Sequence, residues 1–209
     1  MIKAIIFDYD GVIVDSFHHV YEVYKVICQE LSIPCPESLV EFRRIYGYNS
    51  KECNKNLGIK DYGKASKIFK REILKRNVKI FPGIKEVLRK LSKKYKLILI
   101  SSAYKEEVIQ KLERFSISNN FSDIIGKMEY EKRLNKTESI IKTIEKIGIK
   151  KDEVVLIGDR DVDYEEGRKA GLKYVILVEY GWGYDKEKIS QKTIIKKPED
   201  ILKAVITIN

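Results

Sequence analysis

The stretch that decides the fold is KAIIFDYDGVIVDS, residues 3–16. It begins as an apolar run of strand length and ends in Asp8 and Asp10, after which Gly11 turns the chain. In an extended segment Asp8 and Asp10 share one face, while Tyr9 points away. Two close carboxylates repel each other, and Mg²⁺, which prefers oxygen ligands, would relieve that repulsion. The alternative is a hairpin turn, for which Asp-Gly is a strong signal.

Length and composition indicate a globular protein. The chain has 209 residues, enough for one well-buried core and a smaller lobe. We find neither an apolar run of about 18 residues nor a charged and apolar leader, and therefore expect a soluble cytoplasmic protein. A monomer or a homodimer is expected. Cys28, Cys35 and Cys53 have no paired spacing, so we interpret them as reduced, partly buried thiols.

The charge is strongly basic but dispersed. The net charge is +10, from 41 Lys and Arg against 31 Asp and Glu. The lysines are interleaved with glutamates along the whole chain, which is typical of solvated helix faces, whereas a nucleic-acid protein concentrates its basic residues in one stripe. We therefore expect neither a membrane nor a nucleic-acid partner.

The order of the predicted elements indicates an α/β protein with an insertion. Helical patterns at residues 18–31, 38–45, 51–57 and 64–77 follow the first strand without any strand-like run between them. From Phe81 onward, strands alternate with helices, which predicts a parallel sheet covered on both faces, a three-layer Rossmann-like core. The predicted domains are a core of residues 1–15 and 80–209 and a helical cap, or lid, of residues 16–79.

Polar residues follow three of the predicted strands. They are Asp8 and Asp10, Ser101 and Ser102, and Asp159 and Asp163. In a parallel sheet these strand ends lie at one edge, where open α/β folds bind ligands.

The residues at this edge suit phosphate monoester hydrolysis. A carboxylate can attack phosphorus, and a second one can protonate the leaving oxygen; Asp8 and Asp10 supply that pair. Asp159 and Asp163 would complete a divalent-ion site, cap the following helix, or do both.

The remaining residues of this edge could hold an anion. The Ser101 hydroxyl and the Ser102 N–H, at the start of a following helix, form an anion site or an ordinary cap. Lys136, near the start of a later helix, could pair with Asp8 and a phosphoryl oxygen; Lys132 is the alternative lysine.

With these motifs the chain resembles the haloacid dehalogenase superfamily of aspartate-nucleophile phosphotransferases, in its phosphoglycolate phosphatase and β-phosphoglucomutase branch. DYDGV at residues 8–12 matches the signature D-x-D-G-[TV], and GDRDVD at residues 158–163 matches the metal motif G-D-x-x-x-D. Ser101 matches the Ser/Thr of the family's second motif, and Lys136 matches the lysine of its third motif. FPG at residues 81–83 matches the segment at which the chain returns from the cap to the core in this family.

The resemblance implies roles for these residues. Asp8 would be the nucleophile and a Mg²⁺ ligand, and Asp10 the acid/base and a ligand through its backbone carbonyl. Asp159 would bind the metal with Asp163 as a ligand or partner, while Ser101, Ser102 and Lys136 would hold phosphate.

The function implied is a Mg²⁺-dependent phosphatase acting on a small phosphorylated metabolite such as phosphoglycolate. In the cap, Arg43, Arg44 and Tyr48 are candidates for substrate specificity, with a solvated helix face as the alternative interpretation. A phosphomutase of the same fold and a nucleic-acid end phosphatase are the alternative functions. A non-enzymatic binding protein would normally have lost part of the acidic set, which is complete here.

Overall fold

The chain folds into two compact units. The computed structural model describes residues 1–47, 50–127, 135–185 and 194–208. One unit combines Met1–Asp15 with Lys79–Asn209, and the other is Ser16–Val78. The second unit ends one residue before the helical cap predicted for residues 16–79, because Lys79 belongs to the first unit. That this unit is a separate cap domain stays a prediction.

The described strands belong to two sheets, both in the first unit. The strands are β1 Ala4–Phe7, β2 Val14–Asp15, β3 Lys79–Ile80, β4 Lys96–Tyr104, β5 Asp123–Lys127, β6 Val154–Gly158, β7 Tyr174–Val178 and β8 Ile194–Ile195. Six of them form one sheet in the order β5-β4-β1-β6-β7-β8, and every pairing in it is parallel.

The centre of this sheet is β1, which pairs with β4 on one side and β6 on the other. Its four residues are fully buried, so both of its faces are covered. On one face Ala4 and Ile6 pack in a cluster with Ile140 and Ile144. A strand that is buried on both faces must be apolar along its whole length. Because the sheet is parallel, the carboxyl ends of β1 and its neighbours lie along one edge.

The described helices connect and flank these strands. They are α1 Phe17–Glu30, α2 Leu39–Tyr46, α3 Ser50–Asn56, α4 Tyr62–Ile73, α5 Ile84–Leu91, α6 Lys105–Arg114, α7 Lys136–Ile147, α8 Asp161–Lys169 and α9 Asp200–Ile208, with 3-10 turns at Ser118–Asn120 and Lys151–Glu153. The first four belong to the second unit and the others to the first.

The short strands β2 and β3 form a two-stranded antiparallel sheet where the chain leaves and re-enters the first unit. Val14 pairs with Ile80, and Asp15 with Lys79. The sequence does not predict either strand, because two residues carry no periodicity. The hairpin alternative for the Asp-Gly turn is wrong, since β1 pairs with β4 and β6 and does not pair with β2.

The second unit has an aromatic core. The Phe42 ring is fully buried and lies 5.1–5.5 Å, between centroids, from four other rings. These rings belong to Phe17, Tyr21, Tyr24 and Tyr46. The buried hydroxyl groups are satisfied locally: Tyr21 donates to the Pro36 carbonyl at 2.7 Å and Tyr24 to Asn54 Oδ1 at 3.0 Å.

Candidate active site

Two aspartates become neighbours because the strands that precede them are paired. Asp8 directly follows β1 and Asp159 directly follows β6. The register pairs Phe7 with Ile157, and the Asp8 N–H donates to the Ile157 carbonyl at 2.9 Å. The parallel pairing therefore brings together two carboxylates that are 151 positions apart in the sequence.

A third carboxylate and a lysine complete this group. Asp163 lies in the first turn of α8, and Lys136 is the first residue of α7. One carboxylate oxygen from each of Asp8, Asp159 and Asp163 lies within 4.8 Å of the other two. Lys136 Nζ lies 2.9 Å from Asp8 Oδ1 and 2.5 Å from Asp163 Oδ1. We call these four residues the site cluster.

The three carboxylates of the site cluster are buried, and burial is the largest influence on the pKa values of Asp8 and Asp159. Asp159 and Asp163 are at most 1% exposed and Asp8 is 8% exposed. Burial raises the pKa of Asp8 to about 7, against the opposing effect of the Lys136 ammonium. Burial also raises the pKa of Asp159 well above its ordinary value, and the charges of Asp163 and Asp8 add to the shift. For Lys136, burial lowers the pKa, but Asp163 and Asp8 more than offset this and the net shift is upward.

The two metal-motif aspartates use their oxygens differently. Asp163 Oδ2 accepts the backbone N–H groups of Asp159 and Arg160, both at 3.1 Å, while Oδ1 accepts from Lys136. Asp159 Oδ2 accepts the Gly183 N–H at 2.8 Å. Asp159 Oδ1 is buried without a hydrogen-bond partner among the described residues. An orphaned buried carboxylate oxygen costs free energy unless a cation or donor reaches it.

Asp10 lies beside this group, on the turn that leaves β1. It is half-buried, and its charge contributes to the raised pKa of Asp8. Tyr9 between them is fully buried, in agreement with the expected alternation of side chains. Gly11 has a φ of +81°, and a Cβ there would overlap the Asp159 carboxylate, so both the turn and the close approach require glycine.

The two serines on β4 differ from each other. Ser101 is buried and its Oγ accepts the Ala103 N–H at 3.0 Å, whereas Ser102 is exposed. The prediction that Ser102 lies at the start of a helix is wrong, because β4 continues to Tyr104 and α6 begins at Lys105. The extension follows from a register shift between Ile100 and Tyr104, after which Tyr104 pairs with Lys127.

The candidates for specificity are not part of the site cluster. Arg43 and Arg44 are exposed in the last turn of α2, in the second unit. Tyr48 and the alternative lysine, Lys132, lie outside the described residues.

One residue of this region was missed by the sequence analysis. Glu166 Oε2 accepts both the Thr137 N–H, at 2.8 Å, and the Thr137 hydroxyl, at 2.6 Å. These bonds tie the first turn of α7, which carries Lys136, to α8, which carries Asp163. The two partners are 29 positions apart, so no local pattern signals the contact.

A family model for haloacid dehalogenase-like hydrolases matches residues 5–177. The chain belongs to this family. The matched region contains the whole site cluster, and the family resemblance expected from the motifs is confirmed. The Rossmann-like fold predicted for the core is confirmed as well, by the parallel sheet described above.

Similar proteins cover nearly the full length of this family member. A phosphoglycolate phosphatase from Aquifex aeolicus is 27% identical over 96% of this chain and 95% of its own. A haloacid dehalogenase-like hydrolase from Streptococcus pneumoniae superposes with a TM-score of 0.85 at 22% identity, covering 98% of both chains. A proposed β-phosphoglucomutase from Thermotoga maritima superposes with a TM-score of 0.72 at 25% identity, covering 100% of both chains.

The prediction that the chain is a hydrolase of this family is confirmed, and the family and its phosphatase relatives support a phosphatase activity. Across the described residues, no helix has both the length and the apolar character needed to cross a membrane.

Proposed function

We propose that this protein is a Mg²⁺-dependent phosphatase that hydrolyses a small phosphorylated metabolite through an aspartyl-phosphate on Asp8. The observation that carries the proposal is the site cluster, in which three buried carboxylates lie close together and one lysine contacts two of them, Asp8 and Asp163. Three buried carboxyl groups at a sheet edge fit a site for a divalent cation and a phosphoryl group.

The residues present fit a magnesium ion. The donor set is composed of carboxylate oxygens, which Mg²⁺ prefers, and it includes the orphaned Asp159 Oδ1. Asp8, Asp159 and the Asp10 backbone carbonyl would hold the ion. Both Asp163 oxygens already accept hydrogen bonds, which favours Asp163 as the residue that positions Asp159 and Lys136. When bound, Mg²⁺ would neutralise charge on the phosphoryl oxygens.

Asp8 is the proposed nucleophile. One of its carboxylate oxygens attacks phosphorus in line with the leaving oxygen, so that a new oxygen–phosphorus bond forms as the substrate ester bond breaks. The contact with Lys136 supports this role, because the ammonium favours the ionised carboxylate that attack requires.

Asp10 is the proposed acid and base. In its protonated form it donates a proton to the leaving oxygen in the first step. It then accepts a proton from the water that attacks the aspartyl-phosphate, and cleavage releases inorganic phosphate and regenerates Asp8. Its position on the turn directly after Asp8, half-buried and therefore open to water, suits both steps.

Lys136 and the β4 serines are the proposed phosphate ligands. Lys136 would neutralise the charge that Asp8 and the phosphoryl oxygens share. The Ala103 N–H occupies a lone pair of Ser101 Oγ, which leaves the hydroxyl hydrogen available to a phosphoryl oxygen. Ser102 would contribute its backbone N–H.

The proposed substrate is a small phosphorylated acid such as phosphoglycolate, on the strength of the relative from Aquifex aeolicus. Arg43, Arg44 and Tyr48, in the second unit, are the proposed source of specificity. The second candidate function is a phosphomutase, favoured by the similarity to the proposed β-phosphoglucomutase.

A phosphate-release assay tests the proposal. We expect release from p-nitrophenyl phosphate and from phosphoglycolate with Mg²⁺, loss of activity with excess EDTA, and recovery when Mg²⁺ is restored. Activity undiminished by EDTA would contradict the metal assignment. Conversion of a sugar phosphate to its isomer without phosphate release would identify a mutase.

A further inference from the structure

Three glycines surround the Asp159 side chain. They are Gly11, on the turn after β1, and Gly181 and Gly183, on the loop after β7. A Cβ added at any of the three would come too close to Asp159 side-chain atoms. At Gly183 the added atom would lie 2.8 Å from Asp159 Oδ2 and would also overlap Arg160 Cγ. The close packing of two loop segments around one carboxylate therefore requires glycine, which has no Cβ, at these three positions.

The loop that carries two of these glycines is anchored on both sides. We call Tyr180, Gly181, Trp182 and Gly183 the 180–183 loop. Tyr180 Oη donates to the Val12 carbonyl at 3.1 Å, and its ring lies 4.8 Å from that of Phe81. The Arg160 guanidinium carbon lies 5.4 Å from the centre of the Trp182 ring. The loop is thus held between the turn after Asp8 and the residue after Asp159.

The consequence is a fixed carboxylate. The Gly183 N–H donates to Asp159 Oδ2 at 2.8 Å and so takes up one of the two oxygens. The other, Oδ1, is buried with no hydrogen-bond partner in the described part of the chain. A donor on one oxygen of a ligating carboxylate orients the other oxygen and lowers the entropy lost when a cation binds.

We propose that the 180–183 loop positions Asp159 for a divalent cation, with the Gly183 N–H as the group that orients the carboxylate. This inference rests on the proposed metal dependence. It assigns a positioning role to the backbone of a loop that contains no residue of the sequence motifs. It also predicts that the loop controls the affinity for Mg²⁺ in the absence of substrate.

The experiment is a Mg²⁺ titration of the substrate-free protein and its glycine variants. Titration calorimetry gives the affinity, and Trp182, the single tryptophan of the chain, gives a fluorescence signal from the loop itself. Gly181→Ala and Gly183→Ala should each weaken Mg²⁺ binding at least about tenfold, the usual effect of losing a partner that orients a ligand. Excess Mg²⁺ should restore most of the lost turnover. Gly63→Ala, in α4, is the matched control and should bind like wild type, because its new methyl meets nothing closer than 3.4 Å.

A double variant separates orientation of Asp159 from displacement of Arg160. Arg160→Ala removes the Cγ that the new methyl at position 183 would overlap, so Gly183→Ala/Arg160→Ala should fold even if the single variant does not. We expect the double variant to keep the weak affinity relative to Arg160→Ala alone. Equal affinities of these two would overturn the inference, as would wild-type affinity in both glycine variants. A wild-type protein that binds no Mg²⁺ would instead overturn the proposed metal dependence, and the inference with it.

Discussion

Two groups of buried ionisable side chains in the first unit differ in the ratio of acidic to basic residues. In the site cluster, three buried carboxylates lie close together beside one partly buried lysine, which contacts Asp8 and Asp163. On α6, Glu107 and Lys111 form a pair at 2.6 Å whose side chains are 5% and 6% exposed. The second group, which we call the α6 pair, contains one carboxylate and one ammonium. Desolvation is costly in both places, but only the α6 pair meets that cost with an equal opposite charge.

This difference indicates which group serves function and which serves the fold. A balanced buried pair is compatible with a purely structural role. An excess of buried carboxylates destabilises the protein unless something positive binds, and natural proteins retain such strain where activity needs it. The comparison therefore predicts that substitutions in the two groups will act in opposite ways on stability and activity.

Asp8→Asn should give the largest effect on activity. The amide is not a nucleophile, so we expect turnover to fall by on the order of 10³-fold or more. The measurement is kcat for p-nitrophenyl phosphate with saturating Mg²⁺. Asp152→Asn, at an exposed aspartate, is the matched control and should retain its turnover. Near-full turnover of Asp8→Asn would exclude it as the nucleophile.

Lys111→Met should give the largest effect on stability. Removing the ammonium leaves Glu107 buried without its partner, and we expect the free energy of unfolding to fall by about 3 kcal/mol, with turnover retained at temperatures where the variant is folded. Urea denaturation measures the loss. The double variant Glu107→Met/Lys111→Met should recover most of it, because an apolar pair leaves no buried charge. A double variant no more stable than Lys111→Met would show that the α6 pair contributes more than charge balance.

Lys136→Ala should lower turnover by about 10²-fold, as expected for the loss of one donor to the transition state. Lys132→Ala should have little effect. This pair of variants is informative because the two lysines are close in sequence, and Lys136 Nζ lies 2.9 Å from Asp8 Oδ1. The reverse result would reassign the phosphate-binding role to Lys132.

Glu166→Ala should have a smaller effect on the same lysine. Without the Glu166 carboxylate, Thr137 loses its anchor and the first turn of α7 shifts, so we expect kcat/KM to fall on the order of tenfold and inhibition by inorganic phosphate to weaken. Glu166→Gln keeps a carbonyl acceptor and should rescue both quantities. Glu165→Ala, on the exposed side of α8, is the control. A loss of stability without a change in phosphate inhibition would leave Glu166 with a structural role only.

The sequence could predict the residues of the site cluster and the contact of Lys136 with Asp8, but not the hydrogen bonds that surround them. The ends of β1 and β6 could be predicted because both strands are continuous apolar runs that are followed by aspartates. The bonds from Thr137 to Glu166 and from Gly183 to Asp159 join segments that are 29 and 24 positions apart, and backbone donors leave no residue-specific signal. The extension of β4 past Ser102 could not be predicted from the sequence either, because it depends on a shift in the pairing register of β4 with β5.

The comparison between the site cluster and the α6 pair is tested most directly by Asp159→Asn, although the expected effect of this substitution on stability is the smallest in the series. With EDTA present, the substitution removes a carboxylate whose pKa is raised by burial and by the charges of Asp163 and Asp8, while the asparagine carbonyl can still accept the Gly183 N–H. We therefore expect a gain on the order of 1 kcal/mol, or about 2–4 °C in Tm for a chain of this length. With Mg²⁺ the order should reverse, because a ligand that binds only the folded wild type raises its Tm and the variant lacks the oxygen that binds it. If Asp159→Asn instead lowers the Tm in EDTA, the cluster is held together by its own contacts. The three carboxylates would then be structural in the same sense as the α6 pair, and their number would not indicate a binding site for a cation.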